Sequence, residues 1–343
     1  MKHIVHRGGR ALLLATVIAA LGTAARVGAA EELALHGHVE QSIFVETPLS
    51  EGLAFEGGAA ATLALALDAR RDSASLRASL HLSALYGNGV SENSSFILAL
   101  DDLALSWDMG AFAFELGKTY VNWGLGKAFS PADFFTEIDF SSGSPSLRSK
   151  FLGRATWFPG NTTRIDLVGD PYATIGPTLA ARVYTTAFDS LAFSASAGIR
   201  DATDSSSLNL LGAIEATFDL PFLSPYGEAA VQLPVDDPAA AAISLLGGAM
   251  ARAGDLTLLG EYLFSPRASL RHSIFAQATL PVDEWISLSA PLLYYPEPGS
   301  LSTGISLAAS GLDGFDLGIT ALATRAISHS WSGKLVVSAR FAF

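Results

Sequence analysis

The chain contains no cysteine, and only 16% of its 343 residues are charged, compared with about 25% in an average soluble domain. Without cysteine it can form neither a disulfide framework nor a thiolate metal site. Acidic residues outnumber basic ones, 33 against 21, which argues against a nucleic-acid partner, because such a partner needs a basic surface. Half of the residues are apolar, and this excludes a disordered chain. The composition therefore indicates an ordered, weakly charged protein of the kind found in membranes.

Residues 1–30 have the organisation of a secretory signal peptide. A basic start is followed by an apolar stretch over 11–21, which is too short for a membrane helix of about 20 residues. Small residues at 28–30 then precede Glu31. We therefore expect export, with cleavage near Ala30.

After residue 30 no apolar stretch is long enough for a transmembrane helix, and apolar residues alternate with polar ones instead. Within 331–343, Val337 and Phe341 fall on one face of an extended strand, and Ser338 and Arg340 fall on the other. The same alternation recurs over 76–84, 190–200 and 271–280.

Two folds have strands with one apolar face, a soluble β-sandwich and a transmembrane barrel. The predicted strands here are longer than the usual five or six residues, and their second face is mainly Ser, Thr, Gly and Ala with scattered charges. In lipid, only helices and closed barrels satisfy every backbone group. We therefore predict that residues 31–343 form a single all-β domain, a closed antiparallel transmembrane up-and-down β-barrel.

The pattern predicts about eighteen strands, with sixteen as the fallback, and both termini on the periplasmic side. Bacterial single-chain barrels have an even number of strands, with short periplasmic turns and longer outer loops. The longest interruption of the alternation, 122–148, is the third outer loop. Tight turns at 108–109, 159–161, 189–190, 253–254 and 311–313 alternate with looser loops at 88–95, 170–177, 234–240 and 325–330.

The last strand ends in an aromatic residue, and its outward face carries Val337, Ala339, Phe341 and Phe343. This strand resembles the C-terminal assembly signal of bacterial outer-membrane proteins. The resemblance implies a place in the outer membrane of a Gram-negative bacterium, contact with its lipid, and recognition by the barrel-assembly machinery.

A second resemblance lies in the segment that leads into the third outer loop. Trp123-Gly124 is followed by Ser130-Pro131-Ala132-Asp133, which is similar to the Trp-Gly and Asn/Ser-Pro-x-Asp segment of porin-like barrels in spirochaetes and proteobacteria. This resemblance implies a porin-like barrel.

The predicted third loop resembles that of the general porins, in which a long third loop folds inward and narrows the pore. Phenylalanine side chains in a fully exposed loop would be costly, which favours packing against the inner wall. The alternative is an extracellular lid or adhesive loop. As candidates for a pore constriction in this loop we take Lys127, Asp133, Glu137, Asp139 and Arg148.

Four arginines fall on the polar face of neighbouring predicted strands, and they complete the set of constriction candidates. They are Arg154, Arg164, Arg182 and Arg200. One interpretation is a basic ladder that faces the acidic loop. The other is structural pairing across strands with Asp166, Glu115 or Glu215.

Catalytic and cofactor signatures are missing. His36 and His38 share a strand face without a third metal ligand, and His81 and His272 have no partner evident in the sequence. We therefore expect no enzyme and no cofactor, but a porin-like channel for passive diffusion of small polar solutes or ions. The alternative is a surface-exposed structural or adhesin barrel whose function lies in its loops. Assembly into a homo-oligomer stays open.

Overall fold

A computed structural model describes residues 32–48, 56–87, 95–135, 138–139, 146–147, 149–170, 178–188, 190–201, 208–312, 314–325 and 330–342. The expected signal peptide, Glu137, Arg148, Phe343 and the side chain of Asp139 lie outside the described residues.

Eighteen long strands build one antiparallel sheet, and a short pair, β6 (Ile138–Asp139) and β7 (Ser146–Leu147), stands apart from it. The described helical structure is a single 3₁₀ turn, Pro238–Ala240. No helix in the described ranges is long and apolar enough to cross a membrane. The long strands are β1 (Glu32–Pro48), β2 (Glu56–Arg71), β3 (Ala74–Gly87), β4 (Ser95–Asp108), β5 (Phe112–Thr119), β8 (Lys150–Trp157), β9 (Thr163–Asp170), β10 (Thr178–Ala187), β11 (Leu191–Asp201), β12 (Leu208–Phe218), β13 (Leu223–Pro234), β14 (Ala242–Ala253), β15 (Leu256–Phe264), β16 (His272–Pro281), β17 (Ile286–Tyr295), β18 (Ser300–Leu312), β19 (Phe315–Arg325) and β20 (Trp331–Ala342).

The sheet closes on itself because every long strand pairs with the next one along the chain, and β20 pairs with β1. The closing seam runs from His38 opposite Ala342 to Pro48 opposite Ser332. The predicted closed barrel of eighteen antiparallel strands is confirmed.

Side chains alternate between an apolar outer face and an inner face that borders the lumen. In β12 the outward Ile214 is 63% exposed, whereas its neighbour Glu215 points inward and is 4% exposed. The same parity places leucine, valine and phenylalanine outside along the other strands, where a bilayer would cover them. The two-residue period of the sequence therefore defines the two faces of the wall.

The two ends of the barrel differ. At one end, here the turn end, the strands are joined by tight turns, and the described chain begins and finishes there at Glu32 and Ala342. The opposite end is the loop end. Exposed aromatic side chains lie on the outer wall beside several of the tight turns, and Phe112 and Trp157 stack there with ring centroids 6.2 Å apart. This aromatic belt, which is typical of a membrane interface, comprises Trp107, Phe112, Phe114, Trp157 and Phe218.

The last strand has the predicted polarity. Val337 and Phe341 are exposed on the outer face, in register with Ile43 and Val39 of β1. Ala339 lies between them on the same face. Their role as an assembly signal stays a prediction.

Candidate functional site

The candidate site is the crossing of the lumen by the chain that follows β5. Strand β5 ends at Thr119 and β8 begins at Lys150, and between them residues 120–135 leave the wall. We call residues 120–135 the inner segment. Its side chains and backbone contact inward-facing residues of β8 to β16, so this part of the third loop lies inside the barrel.

Glu228 of β13 holds the inner segment by its backbone. Its Oε1 accepts hydrogen bonds from the N–H groups of Leu125 and Gly126, the latter at 2.7 Å, and its Oε2 accepts one from Ala132 at 3.1 Å. Gly124 makes the close approach feasible, because its φ of +95° suits glycine and an added Cβ would lie 1.7 Å from Ser130 Oγ. A single buried carboxylate therefore fixes two separate parts of the segment, residues 125–126 and Ala132, to the wall.

Glu261 of β15 holds the middle of the inner segment in the same way. Its carboxylate accepts the backbone N–H of Lys127, and its Oε2 accepts those of Ala128 at 2.9 Å and Phe129 at 3.0 Å. The Tyr226 hydroxyl donates a further hydrogen bond to the same carboxylate. Ionised acceptors make the stronger class of hydrogen bond, so Glu228 and Glu261 together form a latch for the segment.

Gly248 of β14 permits the tyrosine contact. It pairs with Tyr226 on one side and with Glu261 on the other, so the tyrosine ring crosses it to reach the carboxylate. A Cβ at position 248 would lie 2.5 Å from that ring. The hydrogen bond between Tyr226 and Glu261 therefore requires glycine at position 248.

Apolar side chains of the inner segment also pack against the wall. Trp123 is 1% exposed and packs edge-on against Phe134 and Phe135, with ring centroids 6.2 and 5.2 Å away. This cluster rests on Leu152 and Val168, among other inward residues of the wall. A second cluster joins Ala128 and Phe129 to Leu246 and Phe275. Aromatic rings in such edge-to-face contacts add to the stabilisation that comes from burial.

Two of the predicted arginines share one carboxylate. Arg154 Nη2 lies 2.9 Å from Asp166 Oδ1, and Arg164 Nε lies 2.9 Å from Asp166 Oδ2. The Thr156 hydroxyl adds a hydrogen bond of 2.7 Å to Oδ1. Asp166 is fully buried, so its charge is compensated within the wall.

The other two arginines also have partners. Arg182 Nη2 donates to Glu215 Oε2 at 2.6 Å and to Ser194 Oγ at 3.1 Å. Arg200 donates to the backbone carbonyl of Phe134 in the inner segment. The structure therefore has the cross-strand pairs with Asp166 and Glu215, and it brings one of the four arginines to the loop.

The loop candidates divide into three groups. The Lys127 side chain is exposed, although the backbone of this residue is fixed by Glu261. Asp133 serves a local turn, in which its N–H bonds to Ser130 O and its Oδ1 accepts the Phe135 N–H at 3.0 Å. Glu137, Arg148 and the side chain of Asp139 lie outside the described residues.

Sequence analysis missed several partners. Glu228, Glu261 and Tyr226 carry the inward parity of their strands, but nothing in the sequence marked them as contacts of the loop. His81 was expected to be isolated, which is wrong, because its Nδ1 lies 2.6 Å from Asp101 Oδ2. A register shift in β4 opposite Ser79 and Leu80 inserts Asp101 as an extra residue, and alternation alone does not reveal such a bulge.

His272 was also expected to have no partner, and this too is wrong. Its Nδ1 lies 2.5 Å from the Tyr262 hydroxyl, and its backbone N–H donates to Glu297 at 3.0 Å. Of the other histidines, His36 lies 3.8 Å from Asp68.

At the turn end of the lumen a cavity of about 400 Å³ lies among strands β2 to β5, β8 and β9. Arg70, Arg154 and Arg164 line it together with Glu115. Its walls therefore carry charges of both signs.

Comparison with solved structures gives the same fold. The chain is similar to Pseudomonas aeruginosa OccK11 (OpdR), with 8% identity, a TM-score of 0.62, and coverage of 92% of this chain and 96% of that one. It is similar to Acinetobacter baumannii OccAB4, with 9% identity, a TM-score of 0.61, and coverage of 92% and 99%. No family model and no curated protein matches the sequence. The chain therefore shares the fold of these structures, an 18-stranded porin-like barrel.

Proposed function

We propose that the protein is a passive diffusion channel for small polar solutes in the outer membrane of a Gram-negative bacterium, with the inner segment as its constriction. One observation carries the proposal. Two carboxylates of the wall, Glu228 and Glu261, bind six backbone N–H groups of a segment that crosses the lumen. A loop held inside a barrel narrows the passage, and the width and lining of the passage then determine what crosses.

Three features support the membrane location in this proposal. The outer wall is apolar and exposed, an aromatic belt lies along part of its turn end, and porins share the fold. On this proposal residues 1–30 are a cleaved signal peptide and the turn end is periplasmic. Val337, Ala339, Phe341 and Phe343 would then present the last strand to the assembly machinery.

The adhesin alternative has less support. Apart from the third loop, the loop-end connections between strands are at most seven residues long. The described start of the third loop is folded into the barrel. Little chain is then left outside to form a binding surface.

A single introduced thiol tests the constriction, because the wild-type chain has no cysteine. We expect purified protein in a planar bilayer to give discrete conductance steps. In Lys127→Cys a bulky methanethiosulfonate reagent should lower each step, since this exposed side chain belongs to a segment fixed in the lumen. The matched control is Leu258→Cys, whose side chain is exposed on the outer face of the neighbouring wall. Wild-type protein without conductance steps would contradict the channel, and block only in the control would contradict the constriction.

A charged substitution on the outer face tests the membrane contact. Ile319 lies in mid-strand on the outer face, opposite Leu307 and Val337. Ile319→Arg should destabilise the barrel in lipid by about 2–4 kcal/mol, the cost of an arginine near the bilayer midplane. Thr320→Arg, one position along and facing the lumen, should cost far less. Denaturant titration of the heat-modifiable folded form in phospholipid vesicles measures both, and equal costs would argue against a lipid-facing outer wall.

A further inference from the structure

We infer that the channel passes neutral hydroxylated solutes, such as small sugars and polyols, faster than ions of the same size. This inference rests on the proposed channel function and adds a substrate class to it. It starts from the lumen wall that strands β15 to β19 form.

A row of hydroxyl groups crosses this wall. The register places one Ser or Thr directly opposite the next on five consecutive strands, β15 to β19. The hydroxyl row consists of Thr257, Thr279, Ser289, Ser306 and Thr320.

The row faces the lumen, as its parity with buried inner residues requires. Thr257 shares the face of Glu261, and Thr279 shares the face of the buried Phe275. Ser306 and Thr320 lie 2.9 Å apart through their hydroxyl oxygens. Nearer the loop end a second such pair, Ser302 and Thr324, lies 3.3 Å apart.

Each hydroxyl pair retains hydrogen-bonding capacity toward the lumen. A hydroxyl has one donor and two acceptor lone pairs, so one bond between two hydroxyls leaves a donor and three lone pairs free. These groups can replace the water around a solute hydroxyl as it passes. Because the solute stays hydrogen-bonded during this exchange, the free-energy cost of removing its water is low.

The middle of the same wall carries no charged side chain. Strands β17 and β18 contain no charged residue in their sequence. On the lumen face of β20, Lys334 stands opposite Glu46, and Arg340 stands between Glu40 of β1 and Asp316 of β19. Both basic side chains of β20 that face the lumen therefore stand opposite acidic ones across strands.

The acidic groups of the opposite wall are bound within the protein. Asp166 is bound by two arginines and Glu215 by Arg182, while Glu228 and Glu261 are occupied by the inner segment. Along β17 and β18 an ion that gives up water therefore finds no charged side chain in return. Because an uncompensated charge in a narrow, low-dielectric passage is costly, neutral solutes gain the advantage.

Three solutes of matched size test the inference. Uptake of labelled glucose, gluconate and glucosamine into proteoliposomes is measured at trace concentration and physiological ionic strength. We expect glucose to enter about three- to tenfold faster than either ion, the ratio that one net hydrogen bond provides. If gluconate is fastest, the exposed Lys127 dominates and the inference is wrong. Equal rates for all three also overturn it but leave the channel standing, whereas no uptake of any solute overturns the channel itself.

Removing the hydroxyls tests the row directly. Ser306→Ala combined with Thr320→Val should lower glucose uptake about threefold, by the loss of about one hydrogen bond, and leave the two ions unchanged. The matched control is Thr163→Val with Thr185→Val, because these hydroxyls lie 3.1 Å apart but point outward, next to the inward-facing Arg164 and Tyr184. Equal slowing of all three solutes in the row variant, or slowing of glucose in the control, would contradict a role of the row in selection.

Discussion

Replacing Glu228 and Glu261 together by glutamine is expected to release the inner segment and raise single-channel conductance. The six N–H bonds lose their ionised acceptors, and each amide turns a donor toward backbone donors. A loss of about 0.5–1 kcal/mol per bond amounts to about 3–6 kcal/mol. Reversing a 99:1 preference for the seated state requires about 5.5 kcal/mol. The double variant should therefore spend much of its time with the segment unseated.

Two measurements follow that release. Conductance in a planar bilayer should rise, and protease added from the loop side should cleave within 120–135, where the wild type is protected. The control is Glu40→Gln with Glu46→Gln, which removes the same charge from the lumen face of β1, outside the contacts of the segment. Unchanged conductance and full protection in the latch variant would mean that apolar packing alone holds the segment.

Replacing Arg182 by methionine is expected to give the largest loss of stability in the wall. The Arg182 and Glu215 side chains are only 5% and 1% exposed, and Glu215 stands directly opposite Glu228 in the register. Without the guanidinium, two buried carboxylates face each other. Removing one partner of a buried pair costs about 3–5 kcal/mol.

The double replacement separates pairing from packing. Arg182→Met with Glu215→Leu removes both charges and should recover most of the stability, because apolar residues of similar size replace a buried pair at little cost. Unfolding of the two variants and of the wild type is compared under conditions where the unfolding and refolding curves coincide. If the double variant is as unstable as Arg182→Met, the loss comes from packing and not from the unpaired carboxylate.

The wall could be predicted from the sequence, whereas the contacts of the loop could not. A period of two assigns each strand residue to a face, and this placed Arg154, Arg164, Arg182 and Arg200 inside together with Asp166 and Glu215. Parity gives no information about a segment that leaves the sheet. The bonds between Glu228 and Gly126, or between Glu261 and Ala128, span more than a hundred residues and depend on the path of the loop.

The bulge at Asp101 marks a second limit of the same kind. One extra residue in β4 shifts the register, so that Ser79 pairs with Asp102 and Leu80 with Leu100. The apolar pattern on either side is unbroken, since leucine and alanine occupy both faces there. The partner of His81 was therefore hidden until the backbone of β4 was known.

The seam between β1 and β20 sets the order in which this barrel can form. Its partners, such as His38 and Ala342, are about 300 residues apart in the chain, whereas every other strand pairs with its immediate neighbour. Local hairpins close cheaply, while a contact across the whole chain carries the largest loop-closure entropy. We therefore expect closure of the cylinder to be the last event of folding. Until then β1 and β20 are open edges that can pair with other chains, so aggregation competes with folding at the seam.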